Sequence, residues 1–365
     1  MTSFYAWCTI RDKKFDLTFT EVNPLKKMPE IYTFETLAPI FVILFHVNIM
    51  SISNLYLRYD SYIVLFLTSR LLSFVVPAFI FVSGLKLSRK YTNVRFRYFR
   101  FIFNRFAKIY LPYVFWVVIY YFYFIHREFI TKLDWSELLR YIRTGELVDH
   151  FYFVVVIMQF YVLFPLFLYF CKKTTPRLGI VIAFPLTIAA RIWFDTSGIF
   201  LSHLVFFIAG CYAGVFYKGF LLWLNHFRKF FYSMYLIFTA AHLTMLFKDV
   251  THRFNYQYRE TMTVIFCILS ILVFYQICVN LNKSPKKIES GGFLVRNIST
   301  ASYYIYLSHV LILFEASRQL TYFEIFDPMH RYLIMLVTGI IIPFVVFIPY
   351  AKIKEKCQRL VIHVV

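Results

Sequence analysis

The feature of this sequence that most constrains its fold is a series of apolar stretches, each about 20 residues long, that recur along the whole chain. A helix needs about 20 mainly apolar residues to cross the roughly 30 Å of hydrocarbon in a bilayer. Strands of a membrane barrel alternate apolar and polar residues in short segments, and these stretches do not. We therefore predict an all-α, polytopic integral membrane protein with about ten transmembrane helices. The predicted spans are 32–52, 62–86, 101–125, 151–171, 178–194, 200–217, 230–247, 262–281, 299–317 and 332–350.

Composition and charge agree with a membrane protein. Of the 365 residues, 60% are hydrophobic and 16% are charged, which is more apolar surface than a soluble domain of this length can bury. The net charge is +20, but Lys and Arg are concentrated in alternate connecting segments, beginning with the N-terminal one. This alternation is the positive-inside pattern, so we predict that both termini are cytoplasmic and that no nucleic acid is a partner.

The predicted organisation is a cytoplasmic segment at 1–31, a membrane domain at 32–350 and a cytoplasmic tail at 351–365. The first of these lacks the apolar core and small-residue cleavage site of a signal peptide. The six cysteines show no metal-binding spacing, so we expect them to be buried as small apolar residues and expect no metal site.

Ionisable residues inside predicted spans are the first candidates for function, because charges in membrane helices are costly and usually face a protein interior or a wet cavity. In "FETLAPIFVILFHV", Glu35 and His46 lie eleven residues apart. Eleven helical steps return almost to the starting direction, so both side chains share one face, about 16 Å apart. Pro39 lies between them and is expected to bend the helix. On the predicted topology, Glu35 is near the cytosol and His46 is near the outside.

Other polar residues of the spans suit a pocket towards the predicted outer side. They are Arg70, His150, Arg191, His309 and Glu315. A basic stretch without an acidic residue lies at the predicted inner edge and contains Lys86, Arg89, Lys90, Arg95, Arg97, Arg100, Arg105 and Lys108. Structural explanations stay open for these residues: the basic stretch anchors the chain at anionic headgroups, His150 and Arg191 extend to water, and His309 bonds a neighbouring helix.

The sequence resembles the acyltransferase family 3 membrane proteins, and within them the stand-alone polysaccharide-adhesin type of Gram-positive bacteria. The resemblance covers about residues 30–350. The matching pieces, in the family's order, are "TLAPIFVILFH", "VPAFIFVSG", "FNRFAKIYLPY", "HFYFVVVIMQFYVLFPLF", "FFIAGCYAG" and "ASYYIYLSH".

This resemblance implies an O-acyltransferase in the bacterial plasma membrane, with cytosolic acyl-CoA as co-substrate and no permanently bound cofactor. The acceptor would be a hydroxyl of a cell-surface polysaccharide or lipid-linked glycan, with a role in polysaccharide O-acetylation and biofilm. The family's first helix carries an arginine, ten residues and then the catalytic histidine. His46 matches the histidine, whereas Glu35 replaces the arginine. The family's pair of basic residues entering helix 3 is met by Arg105 and Lys108, with Arg100 nearby.

On this hypothesis Arg105, Lys108 and Arg100 bind the phosphates of acyl-CoA. His46 acts as general base on a sugar hydroxyl, or carries the acyl group as a nucleophile. Glu35, at the position of the family's arginine, is the second candidate catalytic residue beside His46; it either pairs with a basic neighbour such as Arg105 or marks a branch with altered or lost activity.

Four further residues are candidates for acceptor binding or for stabilising the developing oxyanion. Three of them are polar side chains of the spans, which could position the acceptor or donate to the oxyanion. The fourth is one of several aromatic residues of the fourth span, which could stack on a pyranose ring. These candidates are His150, His309, Arg70 and Tyr161.

Two functions other than catalysis remain possible on the sequence alone. One is polysaccharide export, which suits many helices with intramembrane charges, although no ATP-binding loop and no inverted repeat with broken helices is present. The other is a non-catalytic membrane partner of a polysaccharide synthase, for which the charge reversal at Glu35 is an argument. Membrane lipids are expected partners in every case.

Overall fold

The computed structural model describes residues 28–54, 57–194, 198–251, 256–282 and 285–364. These residues are helical between short turns, and no strand occurs among them. In chain order the α-helices are α1 (Pro29–Asn54), α2 (Tyr59–Leu72), α3 (Val75–Tyr91), α4 (Tyr98–Arg105), α5 (Leu111–His126), α6 (Trp135–Thr144), α7 (Tyr152–Lys173), α8 (Pro176–Trp193), α9 (Leu204–Val215), α10 (Tyr217–His226), α11 (Arg228–Thr251), α12 (Tyr256–Leu281), α13 (Pro285–Tyr322) and α14 (Pro328–Val364). A π-helical turn (Phe106–Tyr110) joins α4 to α5, and a 3₁₀ turn (Phe200–His203) precedes α9.

The structure confirms an all-α, multi-pass membrane protein. Within the described residues, eight helical segments are long and apolar enough to cross a membrane, or nine if α9 and α10, bent by 107°, form one span. The sequence predicted ten. The predicted span 299–317 lies inside α13, which is not one of the eight, because its serines, tyrosines, His309 and Glu315 lower its mean hydropathy. The cytoplasmic placement of the termini stays a prediction, and most of the predicted segment 1–31 lies outside the described residues.

The outer surface of the spanning helices is apolar. Side chains on five different spans are 63–68% exposed although they are large and hydrophobic, namely Phe115, Leu166, Val181, Leu236 and Val345. Such a surface would be unstable in water, so lipid is the solvent that these helices require.

Two predicted spans are interrupted next to a proline. The span 62–86 consists of α2 and α3, which are separated by a turn at Ser73 and Phe74. Pro77 explains the interruption, because its ring clashes with the carbonyl of Ser73 four residues earlier and it has no N–H to donate. Pro112 follows the π-helical turn in the same way, since α-helical bonding of that turn would need its missing N–H.

The chain forms two compact units, one containing residues 76–276 and the other residues 29–75 and 277–365. In the first unit, α3 and α9 approach closely through glycines. A Cβ atom added to Gly84 would lie only 2.6 Å from the carbonyl oxygen of Phe207, and Gly210 and Gly214 meet carbonyls of α3 in the same way. The spacing of the last two is the small-residue motif that lets membrane helices pack backbone to backbone.

The second unit contains α1, α2, α13 and α14. α1 packs against each of the other three helices. The core of this unit consists of Ile43, Val47, Ala301, Ile305, Leu313, Leu320, Met335 and Ala351, all of them buried. In this way α1 and α13, which carry Glu35, His46 and His309, are held side by side.

Four cysteines behave as predicted. Cys171, Cys211, Cys267 and Cys278 are buried among apolar side chains. The side chain of Cys357, and all of Cys8, lie outside the described residues.

Candidate active site

The clearest cluster of candidate residues is a pair of histidines in the second unit. The rings of His46 on α1 and His309 on α13 have centroids 5.0 Å apart and are tilted by 58°. His309 is fully buried, whereas His46 keeps part of its surface accessible. Two residues that are 263 positions apart in the sequence are therefore in ring contact, and one of them, His46, is the residue predicted to be catalytic.

The protonation geometry of His309 is set by a backbone hydrogen bond. Its Nδ1 lies 2.7 Å from the carbonyl oxygen of Tyr306, one helical turn earlier. A carbonyl only accepts, so Nδ1 carries the proton and donates it. In the neutral ring, Nε2 is then the nitrogen that carries the lone pair. This bond also fixes the orientation of the His309 ring, and with it the ring surface that His46 contacts.

Glu35 lies on the same face of α1 as His46, as the helical spacing predicted. Its Oε2 accepts a hydrogen bond of 2.6 Å from the hydroxyl of Ser299 on α13. Glu35 contacts Ser299, and His46 further along α1 contacts His309 further along α13. The two helices therefore run parallel, and each contacts the other through one face. Thr36 extends this contact by donating to the carbonyl of Val295, at 2.9 Å.

Arg70, a candidate for acceptor binding, also belongs to the second unit. It lies in the last turn of α2, where the turn at Ser73 begins, and the hydroxyl of Ser73 donates to its carbonyl oxygen at 2.7 Å. Its guanidinium lies over the ring of Phe66, 4.9 Å from the ring centroid. Cation–π contact of this kind stabilises an arginine in an apolar environment.

In the first unit, the structure brings Arg105 and Tyr161 together. The guanidinium of Arg105 lies over the rings of both Phe101 and Tyr161, 5.2 Å from each centroid. Tyr161 is 6% exposed, and its hydroxyl shares a hydrogen bond of 2.9 Å with the hydroxyl of Ser83. Its ring is therefore part of the packing between α3, α4 and α7, and its role as a stacking surface for a sugar stays a prediction.

The predicted donor-binding residues occupy different environments. Lys108 is exposed within the π-helical turn, and Arg100 is exposed on α4. Among the described residues, a cavity of about 560 Å³ lies where α3 ends and α4 begins, and Arg100 lines it whereas Arg105 and Lys108 do not. Lys90, Arg95 and Arg97 line it as well.

His150 and Arg191 both make contacts within the first unit. His150 is 3% exposed and packs on the ring of Phe151, with centroids 4.4 Å apart. Nε of Arg191 on α8 donates to Glu260 on α12 at 2.6 Å. A carboxylate on a neighbouring helix therefore compensates the charge of Arg191, which is 22% exposed, whereas the expectation that His150 extends to water is wrong because His150 is buried.

Sequence reasoning missed Ser299 and Glu260 as partners. Both are polar residues at the edge of an apolar stretch, where one sequence alone does not separate a buried bond from a solvated side chain. The missing signal is which helices are neighbours, and that is a property of the tertiary fold.

The structure is therefore that of a multi-pass helical membrane protein with two histidine rings in contact between two parallel helices. The family model of the acyltransferase domain, acyltransferase family 3, matches residues 34–348 of the chain. The chain therefore belongs to acyltransferase family 3 and is an acyltransferase of the membrane type. Comparison with curated proteins gave no match, and comparison with solved structures gave none either.

Proposed function

We propose that this protein is a membrane-bound O-acyltransferase of the bacterial plasma membrane. It moves an acyl group, acetyl or succinyl, from cytosolic acyl-CoA to a hydroxyl of a cell-surface polysaccharide or lipid-linked glycan. The observation that carries the proposal is the contact between His46 and His309 in a chain that belongs to an acyltransferase family. The stand-alone polysaccharide-adhesin type is the branch of the family that the sequence resembles.

In the proposed reaction, His46 takes the proton of the acceptor hydroxyl as the oxygen attacks the thioester carbonyl of the donor. The tetrahedral intermediate collapses, the C–S bond breaks, and the proton returns to the CoA sulfur. An imidazole suits this work because its ordinary pKa lies near neutral pH. His309 is a positioning residue, since its bond to Tyr306 holds the ring against which His46 rests.

In this proposal Glu35 is a positioning residue rather than a catalytic one. Its carboxylate is bonded to Ser299 on the face of α1 that carries His46, about 16 Å away along the helix. At that distance it does not touch the reacting atoms while His46 does. It fixes the register of α1 against α13 and thereby the position at which the two histidines meet.

The experiment is acyl transfer by purified protein in liposomes, with labelled acyl-CoA and an oligosaccharide acceptor. We expect label on the sugar from the wild type and a loss of about 10²- to 10⁴-fold in His46→Ala, the usual contribution of a general base. His309→Gln and Glu35→Gln should lower kcat by a smaller factor than His46→Ala. His126→Ala, which replaces an exposed histidine at the end of α5, is the matched control.

The same assay separates the three functions. Undiminished transfer by His46→Ala, at normal protein level, would refute the catalytic role of His46. Sugar that crosses the bilayer without label would instead identify an exporter. No transfer and no transport by the wild type would identify a partner that needs its synthase.

A further inference from the structure

The cavity at the α3–α4 connection has the chemistry of an anion site. It measures about 560 Å³, within the usual range of small-molecule sites. Four cations and two aromatic rings line it, namely Lys90, Arg95, Arg97, Arg100, Tyr91 and Phe101. Topological anchoring needs basic residues near the headgroups, but it does not require them to converge on one cavity.

Among the described residues that line this cavity, no carboxylate compensates the positive charge. None of the residues that line it is acidic, and the sequence contains no Asp or Glu from 61 to 127. Guanidinium groups present forked N–H donors that match the oxygen atoms of a phosphate, often in pairs. A ligand that carries more than one phosphate group would use several of the four cations at once.

The backbone contributes to the same site. α4 begins at Tyr98 beside the cavity, and its N-cap residue, Arg97, makes no capping hydrogen bond with its side chain. The Arg97 side chain therefore does not cap the first N–H groups of the helix, which carry the positive end of the helix dipole. On the opposite side of the connection, the ammonium of Lys172 on α7 donates to the carbonyl oxygen of Thr92. This bond restrains the segment that carries Arg95 and Arg97.

The apolar part of the cavity lining includes packed aromatic rings. Phe101 is 4% exposed and packs edge-on against Tyr91, with ring centroids 5.6 Å apart. Phe96 lies 5.1 Å from the same Tyr91 ring. The site therefore combines four exposed cations with packed aromatic rings, which suits a ligand with phosphates and a flat apolar part.

We propose that this cavity is a phosphate-binding site formed by Lys90, Arg95, Arg97 and Arg100. Arg105 is not part of it, because its guanidinium lies over the rings of Phe101 and Tyr161. The phosphates come from one of two sources, the nucleotide part of acyl-CoA or the headgroup of an anionic phospholipid. The first source rests on the proposed function; the second does not.

The test measures binding rather than turnover. Full-length protein in nanodiscs of phosphatidylcholine is titrated with CoA, 3′-dephospho-CoA and pantetheine by calorimetry. In a second arm, native mass spectrometry counts the phosphatidylglycerol molecules that stay bound to protein from mixed micelles. The variant is Arg95→Gln/Arg97→Gln, and the control is Lys173→Gln/Arg177→Gln, which removes the same charge from exposed positions outside the cavity.

If CoA is the source, the wild type and the control bind CoA, the affinity drops at least tenfold in the variant, and pantetheine does not bind. If lipid is the source, the variant loses phosphatidylglycerol and the control keeps it. Arg95→Lys/Arg97→Lys should retain binding in either case, which excludes misfolding as the cause. Equal binding of both ligands by the variant and the control would overturn the proposal. If His46→Ala kept full transfer, so that the catalytic assignment failed, CoA binding that is lost only in Arg95→Gln/Arg97→Gln would still support the cavity.

Discussion

Replacing Gly84 by alanine should destabilise the first unit, because it forces α3 and α9 apart. The added Cβ atom would lie 2.6 Å from the carbonyl oxygen of Phe207 and 3.1 Å from the backbone nitrogen of Cys211. Carbon–oxygen contacts between packed helices settle at about 3.3–3.6 Å, so the backbones must separate by about 0.7–1.0 Å. Both atoms belong to the main chain of α9, so no side chain can rotate away.

Overpacking of this kind costs about 1–3 kcal/mol, and this contact belongs at the upper end because two main-chain atoms are involved. Alanine gains about 1 kcal/mol over glycine as a helix former. The net expectation for Gly84→Ala is a loss of about 2 kcal/mol in the free energy of unfolding. The assay is unfolding of the purified protein by SDS in mixed micelles, followed by circular dichroism.

The matched control is Gly198→Ala, where the nearest atom to the added Cβ is the carbonyl oxygen of Thr144 at 4.0 Å. That variant should stay within about 0.5 kcal/mol of the wild type. If Gly84→Ala proved as stable as Gly198→Ala, close glycine packing would not be what holds α3 against α9.

Two further predictions concern polar contacts of the first unit. Glu260→Gln should lower the free energy of unfolding by about 2 kcal/mol in the same assay, because it leaves the charge of Arg191 uncompensated. This loss is smaller than for a fully buried pair, since the side chain of Glu260 is 12% exposed and that of Arg191 is 22% exposed. Methionine at both positions should recover most of it, and no recovery would contradict the ion-pair explanation. Asp134 caps α6. Its carboxylate accepts hydrogen bonds from the hydroxyl of Ser136 and from the backbone N–H groups of Glu137 and Ser136, and these bonds hold the pKa of Asp134 below its usual range. The lowered pKa means that the cap stabilises α6 above about pH 4 and is lost as the pH falls through the folded-state pKa. Amide hydrogen exchange of residues 135–144 should therefore be faster in Asp134→Ala than in the wild type at pH 7, and this difference should shrink on acidification. A difference that does not change with pH would contradict the role of the ionised carboxylate as the cap.

The spans were predictable because hydrocarbon thickness imposes a length that can be counted in the sequence. The interruptions at Ser73 and at the π-helical turn were less predictable from the sequence, although Pro77 and Pro112 lie beside them. Proline shows that a regular helix must adjust nearby, but it does not say whether the adjustment is a kink, a turn or a π-helical turn. The predicted span 299–317 was recognised as helical, yet its polar face makes it the least apolar of the ten.

Within one helix, the candidate site was also predictable. The spacing of Glu35 and His46 places both on one face, and the structure shows both of them in contact with α13. Contacts between helices were not predictable in the same way. Nothing in the sequence indicates that Ser299 bonds Glu35 or that Arg191 pairs with Glu260, because each pair joins residues from distant parts of the chain.

The sequence by itself determined that this chain is a helical membrane protein. It also determined which polar side chains lie inside the membrane spans, where burial of a charge costs free energy. Periodicity and hydropathy act over one turn or one span, so one sequence is enough to read them. Only the tertiary structure decided which of those side chains meet. In the structure, the ring of His309 contacts that of His46, and the guanidinium of Arg105 lies over the rings of two aromatic residues. Four basic residues line one cavity, namely Lys90, Arg95, Arg97 and Arg100. Such contacts depend on how helices pack, and packing is set by the fit of whole surfaces rather than by any local pattern.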